Sequence, residues 1–234
     1  MKKLIVFIIN IIIIVTSNNI YAQKKEKSNF QLGAKISPNI SWLKTNAQDF
    51  SNDGTSARFS WGFMADFQFA PKYFFSTGFN INSTGGKIIY PYKPDSISSL
   101  GTLHRSIYVR YIEIPLSIKM KTRQFGYLTY FGQIGMGIGL RLDANADDDF
   151  YANGSNTAIS KNDIKIEDQI NFLRLSMILA AGVEYNLGGS TSLFGALTFK
   201  NGFTNILNYK NNATPNIDAD ASSNSFELTI GIIF

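Results

Sequence analysis

The chain has 234 residues, of which 17% are charged and 14% aromatic, and its formal net charge is +5. Ordinary soluble domains carry about 25% charged residues, so this composition suits a fully water-facing surface poorly. The absence of cysteine excludes disulfides, thiolate metal sites and a lipid anchor on cysteine. The lysines and arginines form no stripe with interleaved aromatic residues, so we expect no nucleic-acid partner.

The first segment, residues 1–22, has the pattern of a secretory signal peptide. Two lysines precede an apolar run over residues 4–15, and Ala22 is a small residue at the predicted cleavage site before Gln23. A membrane anchor is the alternative, but the run is too short, since a spanning helix needs about 20 residues. Residues 23–29 are polar and are predicted to form a flexible lead-in.

Residues 30–234 contain a series of segments in which apolar and polar residues alternate, which is the pattern of β-strands. The longest pair lies within residues 107–142, where two alternating runs are joined by a short break at residues 121–126. Eight strands are predicted, over residues 30–42, 59–69, 73–83, 107–120, 127–142, 170–187, 192–203 and 225–234.

The connections between these strands alternate between long and short. The long loops are predicted over residues 43–57, 84–105, 143–169 and 204–223, and an extension of strand three over residues 87–90 is left open. Short connections on one side and long ones on the other are typical of membrane-spanning barrels. The predicted fold is all-β: an eight-stranded antiparallel up-and-down transmembrane barrel with short periplasmic turns and long extracellular loops. A secreted soluble barrel with inward apolar faces is the alternative, which the low charged fraction disfavours.

The run from Tyr111 to Leu116, followed by Lys119, resembles a strand of the PorT-like outer-membrane β-barrel proteins of Bacteroidetes. Residues 126–133 and 180–185 are similar to two further strands of that family. The resemblance covers nearly the whole chain after the predicted signal peptide and implies an eight-stranded barrel in the outer membrane. It also implies a link to type IX secretion, in which founding members are implicated, although many relatives have no assigned task.

The strand face opposite the apolar one collects charged residues, which would line the barrel interior. Eight strands enclose a space only wide enough for side chains, and buried charges must pair or cost several kcal/mol per ion. We therefore predict a salt-bridge network that plugs the lumen, with a small-solute channel as the alternative. The predicted lumen network comprises Lys35, Asp66, Glu113, Lys119, Arg141, Arg174, Glu184, Lys200 and Glu227.

No catalytic residue, cofactor or metal site is predicted. His104 and Ser106 resemble the His-x-Ser pair of outer-membrane lipid A deacylases, but no carboxylate is in place to orient the histidine. A lipid A-modifying enzyme is therefore kept only as an alternative. The acidic residues within 143–169 lack the spacing of a calcium-binding loop. A solvated loop is expected there, with loose divalent-cation bridging to lipopolysaccharide as the alternative.

The last residue, Phe234, ends the final strand, and a terminal aromatic residue resembles the signal that the barrel-assembly machinery reads. The predicted partners are this machinery, outer-membrane lipid and lipopolysaccharide and, through the resemblance, secretion-system components. We expect a monomer in the outer membrane with a structural, binding or accessory role and no enzymatic activity.

Overall fold

Nine strands and one 3₁₀ turn make up the computed structural model, which describes residues 29–94, 99–214 and 217–234. The predicted signal peptide and most of the lead-in lie outside the described residues. In chain order the elements are β1 (Phe30–Thr45), β2 (Ser51–Ala70), β3 (Tyr73–Tyr92), β4 (Gly101–Lys121), β5 (Leu128–Ala152), β6 (Ala158–Lys165), the 3₁₀ turn (Glu167–Gln169), β7 (Leu173–Gly188), β8 (Thr191–Gly202) and β9 (Ala221–Ile233).

Antiparallel pairing closes eight of these strands into a ring. Each of β1 to β4 pairs with the next strand, β5 pairs with β7, and β8 pairs with both β7 and β9. The pairing of β9 with β1 completes the ring. β7 pairs with residues 128–140 of β5, and β6 pairs with the later part of β5, residues 145–151. The predicted eight-stranded up-and-down barrel is thus confirmed, with β6 as an addition.

The half of the barrel next to the short turns has an apolar exterior, here called the apolar belt. On β4, the four outward residues from Ile114 to Met120 are 40–47% exposed, whereas Glu113 and Lys119, at alternate positions of the same strand, are buried. An amphipathic strand directs alternate residues to opposite faces, so this orientation follows from the alternation in the sequence. Outward apolar faces are the reverse of a soluble barrel and contradict that alternative.

The part of the barrel beyond the apolar belt is here called the outer end. There most of the apolar residues face the interior and most of the polar residues face outward. A bulge on β5 between Arg141 and Asp143 shifts its register against β4. Beyond it Ala144 and Ala146 face inward and are fully buried. Apolar residues from most strands then form one core, which contains Leu43, Phe50, Ile88, Tyr90, Leu103, Ile107, Val109, Tyr111, Ala144, Ala146, Phe150, Ile166, Ile170, Ile206, Leu207, Ala219 and Ala221.

The predicted long loops are largely wrong, because most of their residues belong to strands. β2 already begins at Ser51, β4 begins at Gly101, and β5 continues to Ala152. β3 does extend through residues 87–90, to Tyr92. The 204–223 segment, in contrast, is strand only from Ala221 onward. In the predicted loop 143–169 the error arises because the bulge reverses the alternation, so that aspartates occupy outward positions on a strand that continues.

Candidate functional site

Charged side chains from different strands meet inside the apolar belt at three levels. The level nearest the short turns is formed by Lys121 at the end of β4 and Glu184 on β7. Their Nζ and Oε1 atoms are 2.7 Å apart, and Lys121 also donates a hydrogen bond to Gln31 Oε1 at 2.8 Å. The ammonium lies 4.5 Å from the centre of the inward-facing Phe74 ring. An ion pair and an aromatic ring therefore lie together at this end of the lumen.

The middle level pairs Lys119 of β4 with Asp66 of β2. The Lys119 Nζ atom is 2.6 Å from Asp66 Oδ2, and both side chains are 1% exposed. Lys119 also lies 5.1 Å from the centre of the Phe131 ring. Phe131 belongs to a small cluster of buried apolar residues that also contains Phe194. The ion pair therefore lies in a buried and partly apolar environment.

The third level is centred on Glu113, which is fully buried. Its two carboxylate oxygens contact different bases: Oε1 is 2.6 Å from Lys200 Nζ, and Oε2 is 3.4 Å from Arg174 Nη1. Lys200 is also 3.1 Å from Glu227 Oε1, which accepts a hydrogen bond from Asn82 Nδ2 at 2.9 Å. Four strands thus contribute to one linked cluster of charges.

Two predicted members of the lumen network have different surroundings. Lys35 lies beside the Glu113 cluster and lines the same cavity, but it has no ion-pair partner within 4.0 Å among the described residues. Arg141 lies next to the β5 bulge and donates hydrogen bonds to the backbone carbonyls of Glu167 and Ile170. It therefore anchors the 3₁₀ turn to the barrel wall, and it has no carboxylate within ion-pair distance in the part of the chain that the structure describes.

The free space between the charged levels is small. A cavity of about 40 Å³ lies among Lys35, Glu113, Lys119 and Lys200. A space of this size holds one or a few water molecules. Gly137 on β5 shapes it, because a Cβ atom there would lie 3.2 Å from the Glu113 carboxyl carbon. The absence of a side chain at Gly137 thus makes room for the Glu113 carboxylate.

The core of the outer end contains one buried ion pair. Arg105 of β4 donates from Nε and Nη2 to the two carboxylate oxygens of Asp148, at 2.7 and 2.6 Å. Its Nη1 atom donates to Gln169 in the 3₁₀ turn at 2.7 Å. Burial alone would lower the pKa of Arg105, but the hydrogen bonds to Asp148 raise it above its ordinary value. The arginine is therefore a permanent charge that ties β4 to β5 and to the turn.

The family described as "Outer membrane protein beta-barrel domain" matches residues 21–208, which is most of the chain. The chain belongs to this family. No curated protein matches the sequence.

Three solved structures illustrate the fold of this outer-membrane barrel. Neisserial surface protein A is 12% identical with a TM-score of 0.46, over 88% of this chain and 96% of that one. The outer membrane protein AlkL is 14% identical with a TM-score of 0.42, over 94% and 96%. The Escherichia coli outer membrane protease OmpT is 9% identical with a TM-score of 0.38, over 91% and 98%. Sequence identities and TM-scores this low do not indicate what this barrel does.

The apolar belt of this outer-membrane barrel has the height of a membrane. The outward residues of β4 from Ile112 to Met120 span about 27 Å along the strand at about 3.3 Å per residue. With the usual tilt of about 40° this corresponds to about 20 Å along the membrane normal, near the ~25 Å apolar band of such barrels. Among the described residues, no helix is both long and apolar enough to span a membrane.

The histidine has a carboxylate neighbour that the sequence did not indicate. His104 Nδ1 lies 2.7 Å from Asp53 Oδ2, and both side chains are about one-third exposed on the outside of the outer end. Ser106 lies two residues along the same outward face of β4. The structure gives no hydrogen bond between Ser106 and His104, so the three residues do not form a hydrogen-bonded triad.

The acidic residues predicted in one loop lie on both faces of β5, on β6 and in the 3₁₀ turn. Asp148 points inward to Arg105, whereas Asp143 points outward, 2.9 Å from Arg110 Nη2. Within residues 29–94, 99–214 and 217–234, no three His, Cys, Asp or Glu side chains are grouped so as to hold a metal ion.

Sequence reasoning missed Lys121 and the Arg105–Asp148 pair. Lys121 shares the parity of Lys119 and lies one residue beyond the predicted end of its strand, so extending the strand would have found it. Arg105 and Asp148 fell in predicted loops, for which no facing could be assigned. Phe234 follows β9, and its backbone N–H donates to Leu32 O at 2.7 Å.

Proposed function

We propose that this protein is a sealed outer-membrane barrel that acts through its outer end, as a structural or binding component rather than a channel. The observation that supports this most directly is the linked cluster around Glu113, where two bases occupy the cross-section of the lumen. Two further ion pairs lie below it and an apolar core lies above it. The barrel therefore serves as a rigid anchor for the outer end.

A small-solute channel requires a continuous water path, which this interior does not offer. The cavity at the Glu113 level is about 40 Å³, and the core beyond it contains fully buried Ile88 and Ile107. Opening such a path would expose paired buried charges, and breaking each pair costs about 3–5 kcal/mol.

The lipid A-modifying alternative is disfavoured by the height of His104. Arg110 marks the end of the apolar belt on β4, and His104 lies six residues further along the strand. At about 3.3 Å per residue this distance is about 20 Å along the strand, or about 15 Å along the membrane normal at a tilt of about 40°. The ester bonds of a lipid lie at the membrane interface, so they are out of reach of the His104–Asp53 pair.

The link to type IX secretion rests on the resemblance to PorT-like barrels in the strand from Tyr111 to Leu116. A sealed barrel with a rigid outer end fits an accessory role in such a machine, because it needs no transport path of its own. Deleting the gene should then reduce the release of type IX cargo into the medium, while leakage of periplasmic enzymes stays at the wild-type level. Normal cargo release in the deletion strain would refute this role, and leakage without a secretion defect would indicate a purely structural one.

A further inference from the structure

The pairing between β2 and β3 is interrupted by a shift in register. Their hydrogen-bonded register runs up to Ser60 and Asn82 and resumes at Gly54 and Lys87, so residues 55–59 and 83–86 do not pair with each other. The gap lies at the upper edge of the apolar belt. Two of the freed carbonyls accept hydrogen bonds from inside the barrel: Ser83 O from Asn39 Nδ2 and Ser56 O from Ser41 Oγ.

On its outer side, the gap forms a groove of about 510 Å³, here called the β2–β3 groove. Its lining includes Arg58, Phe59, Trp61, Ile81, Ser83 and Arg110. The aromatic and aliphatic residues continue the exposed apolar belt, with Phe59 49% and Trp61 43% exposed. The two guanidinium groups lie at the end of the groove that faces away from the membrane core. The groove is thus apolar below and cationic above.

The two arginines are held in place from the side of the outer end. The Arg58 guanidinium lies 4.1 Å from the centre of the Tyr108 ring, and Arg110 is 2.9 Å from Asp143. Arg58 has no carboxylate partner among the described residues, and its Nε and Nη2 atoms have no hydrogen-bond acceptor there. An unpaired guanidinium group at this position would be stabilised by charge-assisted hydrogen bonds to an anion. Asp143 neutralises Arg110, and Asp147 and Asp163 line the adjoining surface on the side of β5, so the positive charge left for a ligand in the groove is that of Arg58.

We propose that the β2–β3 groove binds the phosphate-bearing headgroup of a lipid in the outer leaflet of the membrane. The phosphate lies against Arg58 and Arg110, since guanidinium groups match phosphate oxygens in geometry and charge. The first part of an acyl chain packs on Trp61, Phe59 and Ile81. Backbone groups left unpaired are costly in hydrocarbon, so a polar headgroup at this level also covers the interrupted seam. The site does not depend on a sealed lumen.

The test uses the full barrel purified in detergent and native mass spectrometry with diphosphoryl lipid A as the probe. Wild-type protein should retain one lipid A. Arg58→Gln and Arg110→Gln should each weaken its binding about tenfold, since each removes a charge-assisted hydrogen bond to the phosphate. Arg123→Gln is the matched control, because Arg123 is exposed at the opposite end of the barrel. Equal lipid retention in the Arg58→Gln, Arg110→Gln and Arg123→Gln variants would overturn the proposal.

Two further arms separate the source of the phosphate and guard against misfolding. Lipid A from which both phosphates have been removed should bind weakly, and excess inorganic phosphate should not displace the intact lipid; displacement would show a site for free anions instead. Ser83→Asp keeps both arginines and adds a negative charge to the groove, so it should also weaken retention about tenfold. Undiminished retention by a folded Ser83→Asp variant would contradict the assignment.

Discussion

Glu113 is the residue on which the lumen network depends most, because its carboxylate contacts both Lys200 and Arg174. Replacing it by Gln leaves two buried cations with reduced compensation. We expect Glu113→Gln to lower the free energy of unfolding by about 3–5 kcal/mol. Urea unfolding of protein in lipid vesicles, followed by the fluorescence of the two tryptophans, measures this change.

Two variants sharpen this measurement. Glu167→Gln is the control, since that carboxylate has no ion-pair partner among the described residues, and it should change stability little. Adding Lys200→Met to Glu113→Gln should recover part of the loss. Adding Lys119→Met should not, because Lys119 pairs with Asp66. The sequence left the partner of Glu113 open, and recovery with Lys119→Met would contradict the pairing in the structure.

Two tyrosines in the outer end respond to alkaline pH. Burial raises the pKa of Tyr90 well above its ordinary value, and it also raises the pKa of Tyr209. The folded state therefore retains both protons above the ordinary pKa of about 10, whereas the unfolded state loses them. The resulting contribution to stability is complete below about pH 10 and is lost as the pH rises toward the raised pKa values.

The ultraviolet absorbance of ionised tyrosine checks this prediction. At about pH 11, Tyr90→Phe and Tyr209→Phe should leave the tyrosinate signal of the folded barrel unchanged. The same substitutions should reduce the signal of the protein unfolded in denaturant. A smaller signal in the folded variants would mean that these phenols ionise in the native state.

At the scale of the strands, alternation predicted which face of each strand in the apolar belt points outward. It could not follow β5 past the bulge after Arg141, because one extra residue reverses the parity. The outward aspartates on that part of β5 then looked like a polar loop. The ion pairs across the lumen could not be predicted either, because they depend on the tilt and stagger of several strands and not on the sequence of any single strand.

Gly137 of β5 gives a test of packing within one strand. A Cβ atom there would lie 2.9 Å from Ser176 Oγ and 3.2 Å from the Glu113 carboxyl carbon. We expect Gly137→Val to destabilise the barrel by about 1–3 kcal/mol through overpacking. Gly132→Val on the same strand meets nothing within 4 Å, and should change stability by less than about 1 kcal/mol. The urea midpoint of each variant measures the difference, and equal midpoints would contradict the packing around Glu113.

A substitution at Phe234, just after β9, can distinguish a role in assembly from a role in stability. Phe234 is 56% exposed and is held through its backbone to Leu32. If it is read by the barrel-assembly machinery, Phe234→Ala should sharply reduce the heat-modifiable, folded form in cells. It should barely change the unfolding midpoint of refolded protein. Phe203→Ala removes a similarly exposed ring at another strand end and should affect neither; an equal loss in cells for both variants would refute the role of Phe234.

At the scale of the whole molecule, composition and alternation were enough to predict a membrane barrel with charges inside. They did not predict the apolar core of the outer end, because residues such as Leu43 and Ile206 lie in segments without a regular period. They also did not predict the interruption between β2 and β3, because the register between two strands cannot be read from the alternation within either one. The outer end thus has its own folded core above the membrane.

If paired charges and an apolar core close the interior of the barrel, the protein should not conduct ions. Wild-type protein should be inserted into planar lipid bilayers, with a porin in the same lipids as the control for insertion and detection. We predict no steady conductance above the bare bilayer across a wide voltage range, because the space at the level of Glu113 is about 40 Å³. Stable openings on the scale of the porin would contradict the sealed lumen.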